Sequence, residues 1–415
     1  MNKRATIIGA GMAGLSAAVA LARHGWKVAL TDSAAQAGGR CRSYHDPQLG
    51  RVIDNGNHLV LAGNQAVARY LKTIGASDRV VGPASASFEF VDLADGARWT
   101  IRPNDGPVPW WLLDAGRRVP GTGIAPYAAL GRLLIGRKSD RVSDRIALAG
   151  PLARRLIDPV LLSALNTDPR EGSARLAAAV IKGSLARGGR ASAPRIAEPT
   201  LAAAFIDPAL AWLALRGGKL ATGTRLRALV SDGERVTGLD FGAGVEPVHG
   251  AVILAVPPWV AQSLIPGLSA PTEFRSIVNA HFAFAPPPGT PAMIGVIGGT
   301  TEWIFAFDDR ISVTVSGADR LIDHDREGLA RIFWGEIARI HSLPDELPPW
   351  QIVKEKRATF AATPEQDSLR PGAVTRYTNL FLAGDWTQTG LPATIEGAIR
   401  SGETAARLAR QAALV

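Results

Sequence analysis

Apolar residues come in short runs along this chain, and the residues that interrupt each run identify it. Ala5–Ile8 is a strand stopped by Gly9, an alanine-rich helix opens around Gly14, and Val28–Thr31 repeats the strand pattern before ending on Asp32. More polar strands are predicted at Phe88–Asp92 and Arg98–Ile101, then a proline- and tryptophan-rich loop around Trp110-Trp111 and helices between Pro126 and Leu185. β character returns over Gly217–Pro257, where Val236–Asp240 follows the turn Asp232-Gly233 and Val252–Val256 runs into Pro257-Pro258. An unbroken Val-Ile-Leu-Ala-Val run suits a central parallel strand, because both of its faces are covered. Strands at Ile294–Val296, Trp303–Phe307 and Ser312–Val315 and a helix near Arg326–Ile340 come next. A last apolar strand, Leu380-Phe-Leu-Ala, stops at Gly384-Asp385, and a final helix opens after Gly390.

The first of these units carries chemistry. Gly9, Gly11 and Gly14 lie between strand and helix, and Asp32 ends the following strand about 20 residues on, the order of a dinucleotide grip. The first glycine permits the tight turn, the second lets backbone N–H groups approach a pyrophosphate, and the third lets helix and strand pack closely. Asp32 is placed to accept hydrogen bonds from an adenosine ribose. Gly38 and Gly39 then free the backbone to pass close to a ligand, and Arg40 offers a forked cation for phosphate. Because Gly384, Asp385 and the start of the final helix form a second such place, both ends of the chain read as one site, as in FAD proteins.

Composition narrows partners more than fold. A chain of 415 residues can bury a large core and favours two subdomains. The net charge of +9 points to an anionic surface or ligand, but no nucleic-acid motif or interleaved aromatic and basic run accompanies it. With one cysteine, Cys41, an internal disulfide and a multi-cysteine metal site are excluded, which fits a reducing compartment. The seven histidines show no ligand spacing, so no metal is expected. Lys3-Arg4 before the apolar stretch Ala5–Ala22 imitates a secretory signal, but the strand–glycine–helix reading explains the same residues, and no apolar stretch long enough to span a bilayer is seen elsewhere.

Several strings are more specific: Gly39-Arg-Cys-Arg-Ser-Tyr44, Asp46-Pro, Ile53-Asp-Asn-Gly-Asn-His-Leu59, Ala164-Leu-Asn-Thr167, and Gly384-Asp-Trp-Thr-Gln-Thr-Gly-Leu-Pro-Ala-Thr-Ile-Glu-Gly-Ala-Ile-Arg-Ser-Gly402. Together they resemble the hydroxysqualene dehydroxylases, within the flavin amine oxidase and carotenoid desaturase superfamily. The resemblance implies an α/β fold with a Rossmann-like FAD domain of the GR2 type and an inserted α+β substrate domain. Residues 1–76, 209–260 and 348–415 would form the discontinuous FAD domain, and 77–208 and 261–347 the substrate domain. It also implies reductive removal of the hydroxyl of hydroxysqualene to give squalene, on the route towards hopanoids, by reduced FAD. Gly9, Gly11, Gly14, Asp32, Gly39 and Arg40 match the superfamily's hold on the ADP half, and Leu226 stands where a valine usually meets adenine. Gly56, Asn57 and His58 match the loop beside the isoalloxazine; Gly384, Asp385, Ile395 and Glu396 match the segment holding the ribityl chain and ring.

Asp54 and His58 are the candidate proton donors, since they flank the expected flavin loop. The simpler alternatives are a carboxylate capping turn amides and a structural histidine. Glu396 is expected to order a helix start and the flavin rather than to react. A C30 isoprenoid is almost insoluble in water and must come from a membrane. Residues 110–155 combine Trp110, Trp111, Leu133, Leu134 and Ile135 with Arg117, Arg118, Arg132, Arg137, Lys138, Arg154 and Arg155, a mix suited to an anionic bilayer surface. A cytoplasmic protein, peripheral at the inner face of the membrane, follows as the expectation. Enzymes before and after it in squalene and hopanoid assembly are possible partners, and the donor that reduces FAD is not identified. A carotenoid or isoprenoid desaturase, with electron flow reversed, and a non-catalytic isoprenoid carrier are the competing functions.

Overall fold

A computed structural model describes residues 3–414. Its nucleotide half is a five-stranded parallel sheet in the order Lys219–Ala221, Lys27–Thr31, Arg4–Ile8, Ala251–Leu254, Leu380–Leu382. All four residues of Ala251–Leu254 are buried, as a strand covered on both faces requires. The alanine-rich helix Met12–Ala22 and the last helix, Ile395–Ala412, pack on this sheet and on each other. Their contact is close because Gly402 has no side chain: a Cβ there would lie 2.2 Å from the Ala13 carbonyl oxygen. Ser16 Oγ seals the pair by donating to the Ile399 carbonyl at 2.9 Å.

The second half is built on a seven-stranded sheet in the order Trp350–Phe360, Phe274–Phe282, Ile311–Val315, Trp303–Ala306, Met293–Ile297, Phe88–Asp92, Arg98–Ile101. One face buries Val278, Ala280, Ile294, Ile304 and Val313 against Leu329, Phe333, Trp334 and Ile337 of the helix Arg326–His341. Over the other face lies a cap of short helices between residues 110 and 193. A continuous apolar cluster runs from the cap (Trp111, Leu133, Leu161) through Phe305 and Phe307 to Leu254 and Trp386.

Two of the expected boundaries move. Strand Trp350–Phe360 pairs along its length with Phe274–Phe282, so it completes the substrate-side sheet and does not open the last nucleotide segment. A run of four charged residues in its middle, Lys354, Glu355, Lys356 and Arg357, disguises it. Leu201, Ala204, Phe205, Ile206 and Ala209 pack among the residues of the nucleotide core, so the stretch before 209 belongs there as well.

Candidate functional site

The glycine turn is built by close approach. Gly9 has φ +101°, and a Cβ on it would meet the Ala255 carbonyl oxygen at 2.3 Å; one on Gly14 would lie 1.8 Å from the Gly9 oxygen. Gly11 pairs with Gly38 through an isolated parallel bridge and is the residue before the first helix, which has no side-chain cap and no acidic residue in its first turn. The uncapped amides, flanked by backbone that has no Cβ, fit the pyrophosphate of a dinucleotide. Asp32 sits beneath: Oδ2 accepts from Ala10 N at 2.7 Å and Oδ1 from Ala34 N at 2.8 Å, leaving further lone pairs for a ribose hydroxyl. Thr224 N donates to the Asp32 carbonyl, which brings the loop carrying buried Leu226 alongside this end of the sheet.

Arg40 joins the two ends of the chain. Its Nη2 donates to both carboxylate oxygens of Asp385 at 2.8 Å, and its Nη1 donates to the Ala358 carbonyl. Asp385 follows Gly384, whose φ of +152° lets Trp386 fold back over it and donate from Nε1 to the Val256 carbonyl. Thr394 caps the final helix by accepting from Gly397 N, and Ile395 is buried in the nucleotide core.

Glu396 orders a helix start, as expected, but that of another helix. Its oxygens accept from Ala66 N and Val67 N at 3.2 and 2.9 Å, so it caps the helix Gln65–Ile74 and fixes it to the final helix, with Arg400 completing the arrangement. An acid in the first turn of one helix here serves the first turn of another, which sequence spacing cannot show.

Asp54, Asn57 and His58 come together in the wall of a small cavity whose remaining lining is Ile196, Ala197, Leu201, Phe305 and Phe307. Asp54 is 3% exposed; its Oδ1 accepts from Ser43 Oγ at 2.6 Å and Leu201 N at 2.9 Å. Burial raises its pKa, against the opposing effect of those hydrogen bonds and of Arg310. His58 is pushed down to about 4, by burial first and then by the Arg40 charge. Gly56 is needed because a Cβ would come within 2.9 Å of Asn279 Nδ2.

Behind this wall lie residues that the motifs did not indicate. His281, 1% exposed, places Nε2 3.0 Å from the Asp54 carbonyl and Nδ1 2.9 Å from Ser312 Oγ. Since a carbonyl only accepts, Nε2 carries the proton, and burial together with Arg310 pushes the imidazole down to about 4. Arg310 stacks on Phe307, 3.8 Å from the ring centroid, and donates to the Pro199 carbonyl. Arg370, whose side chain is fully buried, donates to Asp367 Oδ1, to the carbonyls of Asp385 and Thr387 and to Thr389 Oγ1. It thereby sets the path of the segment that follows Gly384. No local signal marks His281 and Asn279, since the strand that carries them also holds Arg275 and Ser276.

The described residues contain no helix long and apolar enough to cross a membrane, and no group of three or more His, Cys, Asp or Glu able to hold a metal ion.

Comparison with known proteins agrees with this geometry. The family described as flavin containing amine oxidoreductase matches residues 12–409. The chain is 54% identical over 411 residues to hydroxysqualene dehydroxylase of Rhodopseudomonas palustris, covering 98% of each, and 50% identical to that of Sinorhizobium fredii, covering 99% of each. Zeta-carotene desaturase of Synechocystis is more distant, at 24% over 488 aligned residues and 99% and 98% of the two chains. Among solved structures, cyclohexylamine oxidase of Brevibacterium oxydans aligns with a TM-score of 0.68 at 15% identity, covering 98% of this chain and 99% of the other. Putrescine oxidase bound to putrescine aligns at 0.64 and 16%, covering 97% and 98%. At those identities the likeness concerns the fold.

Proposed function

The chain belongs to the flavin containing amine oxidoreductases and, within them, to the hydroxysqualene dehydroxylases; it is an FAD-dependent oxidoreductase, and we propose that it reduces hydroxysqualene to squalene. The observation that carries this reading is the cavity: three polar residues of one loop, Asp54, Asn57 and His58, set in a wall otherwise of Ile, Ala, Leu and Phe. Such a wall suits one hydroxyl on a hydrocarbon. FAD would be held by Gly9, Gly11, Gly14, Asp32, Gly39 and Arg40 on one side and by Gly384, Asp385 and the Gly56–His58 loop on the other.

The overall change is R–OH + H⁺ + H⁻ → R–H + H₂O. Bound in its reduced form, FAD is the source of the hydride. The chain's own task is to deliver a proton to the departing hydroxyl and to keep other water away. His58, with its pKa near 4, is uncharged at neutral pH and has no acidic proton to give. Asp54 is shifted the opposite way, burial raising its pKa, and it lines the same cavity. Asp54 is therefore assigned the proton, with Ser43 and Leu201 fixing its Oδ1, and His58 contributes a neutral hydrogen-bonding wall. Phe305, Phe307 and Leu201 exclude solvent. Anaerobic incubation of the photoreduced protein with hydroxysqualene tests the assignment: squalene should form as the flavin colour returns. Bleached flavin beside unchanged alcohol would refute it.

We further propose that the cap meets an anionic membrane surface, from which so insoluble a substrate must come. Trp110, Leu113 and Ile135 are 65, 66 and 75% exposed, beside exposed Arg132, Arg137 and Lys138. The contributing residues differ from those expected. Trp111 and Leu133 are buried within the cap, Arg155 turns inward to Asp92, and Arg154 pairs with the same carboxylate while its side chain stays half-exposed. Vesicles rich in phosphatidylglycerol should bind the protein and release it in high salt, and changing Trp110, Leu113 and Ile135 to Ser should abolish binding. Binding unaffected by those changes would exclude this face.

A further inference from the structure

Asn57 is the one polar residue of the cavity wall whose hydrogen bonding is both fixed and incomplete. It is 9% exposed, and its Nδ2 donates to the Val313 carbonyl at 3.2 Å and to Thr314 Oγ1 at 3.1 Å. Thr314 Oγ1 in turn donates to Asn279 Oδ1 at 2.8 Å, and Asn279 Oδ1 also accepts from Asn57 N. This chain settles the orientation of the amide, since rotating it would set Oδ1 against the Val313 carbonyl, acceptor to acceptor. Oδ1 itself is buried with no donor among the described residues. None of the other cavity-lining residues holds a buried polar side-chain atom in that condition.

A buried acceptor without a donor is costly to leave and selects for a ligand that brings one. The cavity that Asn57 lines has a free volume of about 10 Å³, the size of a single hydroxyl or water. We propose that Asn57 Oδ1 accepts the hydroxyl hydrogen of the substrate and so distinguishes an isoprenoid alcohol from the hydrocarbon made from it. The inference rests on the reading of this cavity as the dehydroxylation site. Donation to Asn57 ties up the hydroxyl's hydrogen and leaves its oxygen lone pairs for the proton held at Asp54, which lines the same cavity. Once the hydroxyl has left as water, the hydrocarbon itself has no donor for Oδ1 and is held more weakly than the alcohol. An apolar pocket alone would hold alcohol and hydrocarbon almost alike; a site built to pair a hydroxyl does not.

The test compares dissociation constants of hydroxysqualene and squalene for the FAD-loaded protein in micelles, followed by flavin absorbance, alongside KM and kcat. Wild type should prefer the alcohol by about tenfold or more, the worth of one buried neutral hydrogen bond. In Asn57→Leu that preference should fall to within about twofold, with squalene affinity kept and KM raised. An unchanged preference overturns the proposal, as does loss of FAD from a folded Asn57→Leu protein, which would turn the acceptor towards the cofactor. If that variant does not fold, Asn57→Ala removes the same acceptor with a smaller side chain, and an unreduced preference there overturns the proposal equally. Failure of wild type to make squalene refutes the functional reading itself; normal turnover with no effect of Asn57 refutes only this inference.

Discussion

Replacing Arg370 by Met removes a buried cation while keeping most of its volume. The guanidinium has four partners: Asp367 Oδ1 at 2.9 Å, the Asp385 carbonyl at 3.0 Å, the Thr387 carbonyl, and Thr389 Oγ1 at 2.8 Å. It also lies 4.7 Å from the Phe360 ring centroid. Met retains the packing on Phe360 but leaves two buried carbonyls without this donor, at about 1–3 kcal/mol each. Asp367 keeps Arg175, so its charge is not stranded. These losses are coupled and do not add, and removing one partner of a buried ion pair costs about 3–5 kcal/mol, which is the destabilisation expected here. The lost bonds fix the segment after Gly384, so FAD affinity should fall at least about tenfold. Arg69→Met serves as the control: its pair with Glu403 is half-exposed and worth at most about 1 kcal/mol. Denaturation midpoints at unchanged m-value, with fluorescence titration of FAD, measure both effects. A loss no larger than the control's, with FAD affinity intact, refutes the reasoning.

Stability should fall as pH drops from about 6.5 towards 4, because His281 titrates near 4 when folded and near 6.5 when unfolded, so the unfolded chain binds the extra proton in that window. The shift corresponds to about 3 kcal/mol at most, present in full above the unfolded pKa. His58 acts in the same direction, and a His281→Gln protein should give a flatter denaturation-versus-pH curve; parallel curves would exclude the assignment. Gly402→Ala should destabilise by about 3 kcal/mol or more and weaken FAD binding, because the new Cβ meets the backbone of the first helix, whereas Gly335→Ala, with open space around it, should stabilise by about 0.4–1 kcal/mol. Thermal melts of the two variants, measured side by side, check the contrast.

What could be read from the chain was whatever short-range backbone chemistry dictates. Gly9, Gly11, Gly14 and Asp32 lie in one strand–turn–helix–strand unit, so their spacing carries their geometry. Strands Phe88–Asp92 and Arg98–Ile101 were equally legible, being a hairpin with local pairing. Trp350–Phe360 was misplaced because its partner, Phe274–Phe282, lies far back in the chain and its own middle is charged at four successive positions. Which helix Glu396 caps was hidden for a similar reason, since the amides it serves are about 330 positions away. Asn279, His281, Arg310 and Arg370 escaped notice altogether. Each sits in an unremarkable local sequence and acquires its significance from groups that only the tertiary fold brings near. The dehydroxylation motifs named the loop of Asp54, Asn57 and His58, but not which of the three was saturated, neutral or left wanting a donor.

The pairing of Ser16 with Ile399 spans 383 residues, and it bears on how the protein is made. At about 5–20 residues per second, the stretch between them takes roughly 20–80 s to translate. Throughout that interval the alanine-rich helix near the start has its partner surface unsynthesised, and the parallel sheet lacks its last strand. The complete FAD site, which needs Gly384 and Asp385 as well as Gly9–Gly14, therefore forms only after those later residues have been made.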